Sequence, residues 1–132
     1  MDILQAVMEL LDEGGIPMLG PELADEEAIA RARACQPVMS FCVVRRWIWI
    51  DLEMPESVLA ELQRTGRQPV MLYAHQVVFD SLDRCRPGDW IRSTPLVAFR
   101  QGCFFETVNT RYLLLGRGVR KSAQLSTGLR IF

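Results

Sequence analysis

The chain has 132 residues, 49% of them hydrophobic and 23% charged, with a net charge of −1 at pH 7. This length and composition predict one globular domain over residues 1–132, and they exclude an intrinsically disordered chain and a two-domain enzyme with a separate cofactor domain. No run of residues approaches the ~18 apolar residues of a membrane span, and the N-terminus does not fit a secretory signal peptide, so we expect a cytoplasmic protein.

The N-terminal part of the chain is predicted to be helical. Apolar residues at helical spacing predict a first helix over residues 2–13. The apolar segment 15–20 is then expected to be a loop that packs against the rest of the protein. A second helix fits residues 21–35, because Pro21 suits a first turn and the acidic residues after it interact favourably with the helix dipole.

Two long strands and an intervening helix are predicted next. Residues 38–52 are rich in β-branched and aromatic side chains, and simple alternation places Trp47 on the same face as Val43. Residues 70–79 predict a second strand that is apolar on both faces. The helix between them, residues 55–65, is expected to turn three apolar side chains towards the core, namely Val58, Leu59 and Leu62.

The remaining sequence is typical of a meander of short strands separated by turns. Strands are predicted over residues 90–100, 103–107, 111–115 and 122–131. Pro95 is expected at an edge or a bulge, and Gly116-Arg117-Gly118 is expected to end the third of these strands.

Together these elements predict an α+β fold. Residues 38–132 are expected to form a mixed or antiparallel sheet of five to six strands, and two to three helices, including those of residues 1–36, are expected to pack on one side of it. The strand order stays open, because the helical link between the two long strands suits either an antiparallel return or a parallel crossover.

The sequence lacks a strong catalytic or metal-binding pattern. Its cysteines, at positions 35, 42, 85 and 103, have no CxxC spacing, so we expect free thiols rather than a zinc site. The single histidine, His75, lies in an apolar strand and is interpreted as a hydrogen-bonded core residue. We therefore predict no catalytic residue, no cofactor and no metal ion. A small enzyme that uses His75 with Asp51, Asp80 or Asp89 remains an alternative.

Charge is distributed unevenly along the chain. Residues 1–66 hold 12 acidic and 5 basic residues, whereas residues 67–132 hold 4 acidic and 10 basic ones. Such asymmetry is typical of proteins that bind a charged partner, and attraction between the two halves within the fold is the alternative explanation. The candidate binding residues are the cations Arg92, Arg111, Arg117, Arg120 and Lys121 and the anions Glu22, Asp25, Glu26 and Glu27.

Five short segments stand out as a set, with Arg120-Lys121 beyond the last of them. They are Tyr73-Ala74-His75, the segment GDWIRSTPLV at 88–97, Phe105-Glu106-Thr107, Asn109-Thr110-Arg111-Tyr112 and Leu115-Gly116-Arg117-Gly118. With them the chain resembles an uncharacterised family of small bacterial proteins over about residues 45–132. The resemblance implies no mechanism and no catalytic residue. It implies a bacterial source and a setting among prophages and other mobile elements, where small proteins often block a host complex.

We therefore expect a non-enzymatic protein-binding protein, an inhibitor or accessory factor that acts on a larger host complex as anti-defence proteins do. Its acidic helical half and its basic sheet half would offer two complementary surfaces for steering a partner. The first alternative is nucleic-acid binding through the basic C-terminal segment, where Tyr112 and Phe132 are interleaved with the cations. The second alternative is the small enzyme that uses His75. No membrane partner is expected.

Overall fold

The computed structural model of the protein describes residues 3–11 and 14–128, which contain seven strands and four helical segments. The helices are α1 (Ile3–Leu11), α2 (Asp25–Ala34), α3 (Glu56–Arg64) and α4 (Leu125–Gly128). The strands are β1 (Ile16–Leu19), β2 (Phe41–Glu53), β3 (Val70–Asp80), β4 (Ile91–Arg92), β5 (Ala98–Arg100), β6 (Phe104–Glu106) and β7 (Arg111–Gln124). The α+β class is confirmed, with more strands than we predicted.

All seven strands belong to one mixed sheet, in which six follow the order β4-β3-β2-β7-β6-β5 and β1 pairs with β7. The long strands β2 and β7 run parallel at its centre, and β2 and β3 form an antiparallel pair. On its edge away from β2, β7 pairs with β6 near its start and with β1 over residues 117–120. The N-terminal part of the chain therefore contributes a strand to the same sheet.

Strand β2 changes its alternation at Arg46. Val44 and Trp47 lie in the same core cluster, whereas Val43 belongs to a cluster on the other face. Arg46 has a positive φ of 56°, and the pairing of β2 with β7 shifts at this point, as in a β-bulge. Because an irregularity of one residue reverses the faces of the side chains that follow it, the prediction that Trp47 shares a face with Val43 is wrong.

Helices α1 and α2 cover one face of the sheet, which we call the helix-covered face. Ala28 and Ala32 of α2 are buried against the early part of β2, and Leu10 of α1 is buried against its later part. The other face, which we call the loop-covered face, buries Trp47 and Trp49 beneath the segment that contains β4. Both tryptophans are therefore core residues.

Three predictions about the N-terminal part and α3 need correction. Residues 15–20 contain a strand, β1, and not a packed loop, since Leu19 leaves 75% of its surface exposed. Helix α2 begins at Asp25, four residues after Pro21. Helix α3 has no buried residue: of its three predicted core residues, Val58 is exposed, and Leu59 and Leu62 are half-buried.

The C-terminal strand is longer than predicted. Gly116-Arg117-Gly118 does not end it, because β7 continues to Gln124 and α4 follows. Gly116 has a φ of 66°, which lets the strand deviate at this point and resume its pairing with β2. The predicted strand over residues 122–131 is therefore replaced by the end of β7 and α4. Its last three residues lie outside the described residues, as do Phe132 and positions 2, 12 and 13 of the predicted first helix.

Candidate functional site

A cavity of about 330 Å³ opens on the helix-covered face, between the end of α1 and the centre of the sheet. Three polar side chains reach it from neighbouring strands: His75 from β3, Arg46 from β2 and Arg117 from β7. Leu11 and Gly14 lie on the side of α1. We call this site the cationic cavity.

An irregularity shared by two neighbouring strands places both arginines at this cavity. Arg46 is the left-handed residue at which β2 changes its alternation, and Arg117 directly follows Gly116, the left-handed residue of β7. From the pair Arg45–Leu115 to the next pair, Trp47–Gly118, β2 advances by two residues and β7 by three. A left-handed backbone at a residue other than glycine costs of order 1 kcal/mol, and such strain is concentrated at functional sites. The shared bulge thus makes this region a candidate site.

Arg46 and Arg117 differ from six of the other described arginines in their electrostatic surroundings. Over residues 3–11 and 14–128, six arginines form ion pairs with carboxylates: Arg45, Arg64, Arg84, Arg100, Arg111 and Arg120. Arg46 and Arg117 form none within the same ranges. Two guanidinium groups therefore line one cavity without a paired carboxylate from the described residues.

Lys121 adds a third cation close to the cationic cavity. Its Nζ donates a hydrogen bond of 2.7 Å to the backbone oxygen of Leu10, in the last turn of α1. Carbonyl groups at the end of a helix lack intrahelical partners, and the helix dipole favours a cation there. Lys121 also lies near enough to His75 to lower the pKa of its imidazole, which places the ammonium group beside the cavity.

His75 is held in a neutral form at the edge of the cavity. Its Nδ1 lies 3.0 Å from the Tyr73 hydroxyl. Burial lowers the pKa of His75 below 6.5, and the positive charges of Arg46 and Lys121 lower it further, although the backbone of Leu11 acts in the opposite direction. His75 is therefore neutral at neutral pH, and the permanent charge of the site comes from its neighbours.

The predicted basic residues do not form one surface. Arg111 is fully buried, and its Nε donates a 2.6 Å hydrogen bond to Glu106, so the prediction that it is a surface anchor is wrong. Arg120 lies on the loop-covered face, where it pairs with Asp51 at 2.6 Å and stacks over Trp49. Of the predicted cations near the end of the chain, Arg117 and Lys121 remain at the cationic cavity.

The four predicted acidic residues are exposed, and two of them lie close to the shared bulge. Glu22, Asp25, Glu26 and Glu27 are all exposed at or just before the start of α2. The carboxylate of Glu22 lies beside Gly116, since a Cβ on this glycine would be 3.5 Å from Glu22 Oε1. Asp25 pairs with Arg45 at 3.0 Å. One of the predicted acidic residues, Glu22, therefore lies beside the residue that precedes Arg117 of the cationic cavity.

A second cavity, of about 390 Å³, opens on the loop-covered face. Asp80, Cys42 and Tyr112 lie side by side there on β3, β2 and β7. Burial raises the pKa of both Cys42 and Tyr112 to about 12. At neutral pH this row therefore presents a protonated thiol and a protonated phenol.

Asp80 is the charged member of this second cavity, and Arg84 neutralises it. The guanidinium donates hydrogen bonds of 2.7 and 3.0 Å to the two carboxylate oxygens, and the backbone amides of Arg84 and Cys85 also donate to Asp80. Burial acts to raise the pKa of Asp80, but the hydrogen bonds and charge of Arg84 outweigh it, so the pKa lies below its usual value. The predicted binding residue Arg92 also lines this cavity.

The three carboxylates considered as partners of His75 are engaged elsewhere. Asp51 binds Arg120, Asp80 binds Arg84, and Asp89 accepts a hydrogen bond from the backbone amide of Arg86. In the part of the chain that the structure describes, no three His, Cys, Asp or Glu side chains come together as ligands for a metal ion. The four cysteines are free thiols.

Comparison with known protein families gives one match. The model of a family described as a domain of unknown function, DUF6957, matches residues 19–130. The chain belongs to this family. The match includes α2 and every strand after β1, whereas the resemblance we noted in the sequence began at about residue 45. Comparison with curated proteins and with solved structures finds no match.

No described helix of this DUF6957 protein is long and apolar enough to cross a membrane. Sequence reasoning identified Arg117 and Lys121 but missed Arg46. A signal for Arg46 was nevertheless present, since Arg45-Arg46 interrupts an otherwise apolar strand that is covered on both faces. Successive side chains of a regular strand point to opposite faces, so two adjacent arginines would both be buried when both faces are covered. The pair Arg45-Arg46 therefore favours a bulge in this strand.

Proposed function

We propose that this protein is a non-enzymatic protein-binding protein, an inhibitor or accessory factor of a larger complex, which docks through the cationic cavity and β1. The observation that carries the proposal is the pairing of Leu19 on β1 with Arg117 on β7. Directly opposed residues of an antiparallel pair point to the same face, so the exposed Leu19 stands beside the arginine. An apolar side chain next to a guanidinium group is typical of a protein interface.

Complementary charge supports a partner that presents acidic residues to the cavity. Arg46 and Arg117 are exposed at the cavity and pair with no carboxylate in residues 3–11 and 14–128. A guanidinium group binds a carboxylate through two parallel hydrogen bonds, which fixes orientation as well as charge. The acidic start of α2, close to the shared bulge, would meet basic residues of the same partner and set its direction.

Nucleic-acid binding is less well supported. An extended polyanion needs a continuous row of cations, but Arg111 is buried and Arg120 lies on the other face, paired with Asp51. A strand of phosphates leaving the cavity over Gly116 would also meet the carboxylate of Glu22.

The proposed setting is the cytoplasm of a bacterial host. The free thiols suit a reducing compartment. The bacterial and mobile-element origin rests on the sequence resemblance alone.

The proposal is tested by capture of partners from a lysate of the native host, with and without nuclease. The tagged protein is compared with the charge-reversed variant Arg46→Glu/Arg117→Glu and with the control Arg64→Glu/Arg86→Glu, which changes net charge equally at two exposed residues away from the cavity. We expect a stoichiometric protein partner that survives nuclease and is retained by the control, but is lost from the variant.

Two outcomes would count against the proposal. Equal capture by both double variants would show that the cationic cavity does not hold the partner. Recovery of nucleic acid alone, lost on nuclease treatment and falling steeply with salt, would favour the alternative of nucleic-acid binding. Thermal unfolding of each variant checks that a lost partner does not reflect a lost fold.

A further inference from the structure

We propose that the cationic cavity is a binding site for a phosphate monoester, the doubly charged end group of a phosphorylated molecule. The site coincides with the docking surface proposed above, and the inference deepens that proposal by naming the chemical group recognised. Binding of the anion itself needs no protein partner. The two proposals can therefore fail separately.

The charge of the site fits a dianion better than a single carboxylate. Arg46 and Arg117 line the cavity as permanent cations, and Lys121 lies beside it. His75 is neutral near pH 7, since burial and the neighbouring cations hold its pKa below 6.5. A phosphate monoester carries about −1.5 to −2 charges at pH 7 and three strong acceptor oxygens. It would balance the two arginines, which one carboxylate would not.

The donor geometry supports the same ligand. Guanidinium groups present planar pairs of N–H donors that match the oxygens of a phosphate. The two arginines lie on β2 and β7, which pair directly, so no other strand lies between them. Both lie at the shared bulge, which fixes where their side chains leave the sheet. Such a pair can approach one anion from two sides.

The size and walls of the cavity favour an end group over a continuous chain of phosphates. Its volume of about 330 Å³ lies at the small end of the usual range for ligand sites, roughly 300–1,000 Å³, which admits a phosphate and part of its substituent. Leu11, Ile48 and Val119 supply apolar walls. Beyond Gly116 the carboxylate of Glu22 would repel a further phosphate.

Titration of the pure protein with sodium phosphate, followed by calorimetry and by amide chemical shifts at matched ionic strength, tests the inference. We expect saturable binding, with the largest shifts at the shared bulge. Single variants Arg46→Gln and Arg117→Gln should each weaken binding by roughly tenfold or more, the usual worth of a charge-assisted hydrogen bond. Arg86→Gln, an exposed arginine outside the cavity, serves as the matched control and should bind like the unaltered protein.

Further titrations separate the sources of the anion. A peptide with one phosphoserine should bind more tightly than inorganic phosphate, and the same peptide with glutamate in place of phosphoserine should bind at least about tenfold more weakly. Equal binding of the two peptides would show that the site does not distinguish a phosphate monoester from a carboxylate, and would overturn the inference. Tighter binding of a short oligonucleotide without terminal phosphate would overturn it in favour of a phosphodiester.

Absence of saturable binding, or binding that neither arginine variant weakens, would overturn the site itself. Amide spectra of the variants show directly whether each is folded, so a misfolded variant is not mistaken for a lost ligand. Partner capture that survives in a phosphatase-treated lysate, together with phosphate binding by the pure protein, would leave the site intact and show that the partner does not supply the phosphate.

Discussion

At the scale of single residues, the buried pair Glu106 and Arg111 connects parts of the chain that are far apart in the sequence. Arg111 is fully buried and donates hydrogen bonds to Glu106 and to the backbone oxygens of Cys35 and Pro37. Arg100 also pairs with Glu106 at 3.1 Å. One guanidinium thus ties the start of β7 to β6 and to the segment that follows α2.

We predict that Arg111→Met destabilises the protein by up to about 3–5 kcal/mol, because it leaves the buried Glu106 carboxylate with only the half-exposed Arg100 and removes the hydrogen bonds to Cys35 and Pro37. Urea unfolding at pH 7 measures the change in the free energy of unfolding. Glu106→Gln/Arg111→Met, which removes both charges, should cost less than the sum of the two single changes. Arg117→Met is the matched control, and its cost should lie within about 0.5 kcal/mol of zero. A cost for Arg111→Met near that of the control would contradict the prediction.

Arg111 and Arg117 show why the burial of a charge was not predictable from the sequence. Both lie on β7, and neither has an acidic residue within two positions of it in the sequence. One is fully buried and the other is exposed. The acceptors that bury Arg111 are backbone oxygens of Cys35 and Pro37, which are far away along the chain. A charge count along the sequence cannot detect such a long-range contact.

At the scale of secondary-structure elements, the bulge shared by β2 and β7 decides where the candidate site lies. The sequence predicted the positions of β2 and β3 closely, because long apolar runs of β-branched residues have few alternatives. It did not predict the irregularity at Arg46, so the faces of Trp47 and its successors were assigned wrongly. It also took Gly116 as the end of a strand, although a glycine with positive φ equally suits a bulge within one.

We predict that Arg46→Gly separates stability from binding. Glycine adopts the φ of 56° without steric cost, so the free energy of unfolding should stay unchanged or rise by up to about 1 kcal/mol. The same change removes one cation from the cavity and should weaken phosphate binding as strongly as Arg46→Gln does. Urea unfolding and calorimetry on the same sample measure the two effects.

The neighbouring substitution Arg45→Gly is the control for this prediction. Arg45 donates hydrogen bonds to the backbone oxygen of Leu23 and to Asp25, so its loss should destabilise the protein. Phosphate binding should be retained, because Arg45 does not line the cavity. Destabilisation by Arg46→Gly as large as that by Arg45→Gly would show that Arg46 makes a structural contact that outweighs its backbone strain.

At the scale of the whole molecule, the acidic and basic halves of the sequence do not form two separate charged surfaces. The chain separates acidic from basic residues along the sequence, but the fold pairs Asp51 of the acidic half with Arg120 of the basic half. Part of the asymmetry in the sequence is therefore used within the fold. The cations that remain at the cationic cavity are few, which is why the site suits one compact anion rather than a long polyanion.

The response of the whole molecule to pH follows from two groups with opposite charge. The pKa of His75 is lowered below 6.5, so the unfolded chain takes up a proton more readily than the folded protein. Its contribution to stability is fully present above pH 6.5 and is lost as the pH falls below that value. The pKa of Asp80 is lowered from 3.8, so its contribution is lost only at more acidic pH.

We therefore predict that the free energy of unfolding falls as the pH is lowered from about 6.5 to about 5, and that His75→Gln removes part of this fall. Urea unfolding at several pH values across this range measures it, in buffers without phosphate or sulfate so that anion binding does not contribute. Gln76→Ala, at the exposed neighbouring position, should keep the pH dependence of the unaltered protein. A pH dependence that His75→Gln leaves unchanged would mean that the imidazole titrates alike in the folded and unfolded chain, and that burial and the charges of Arg46 and Lys121 do not hold it neutral.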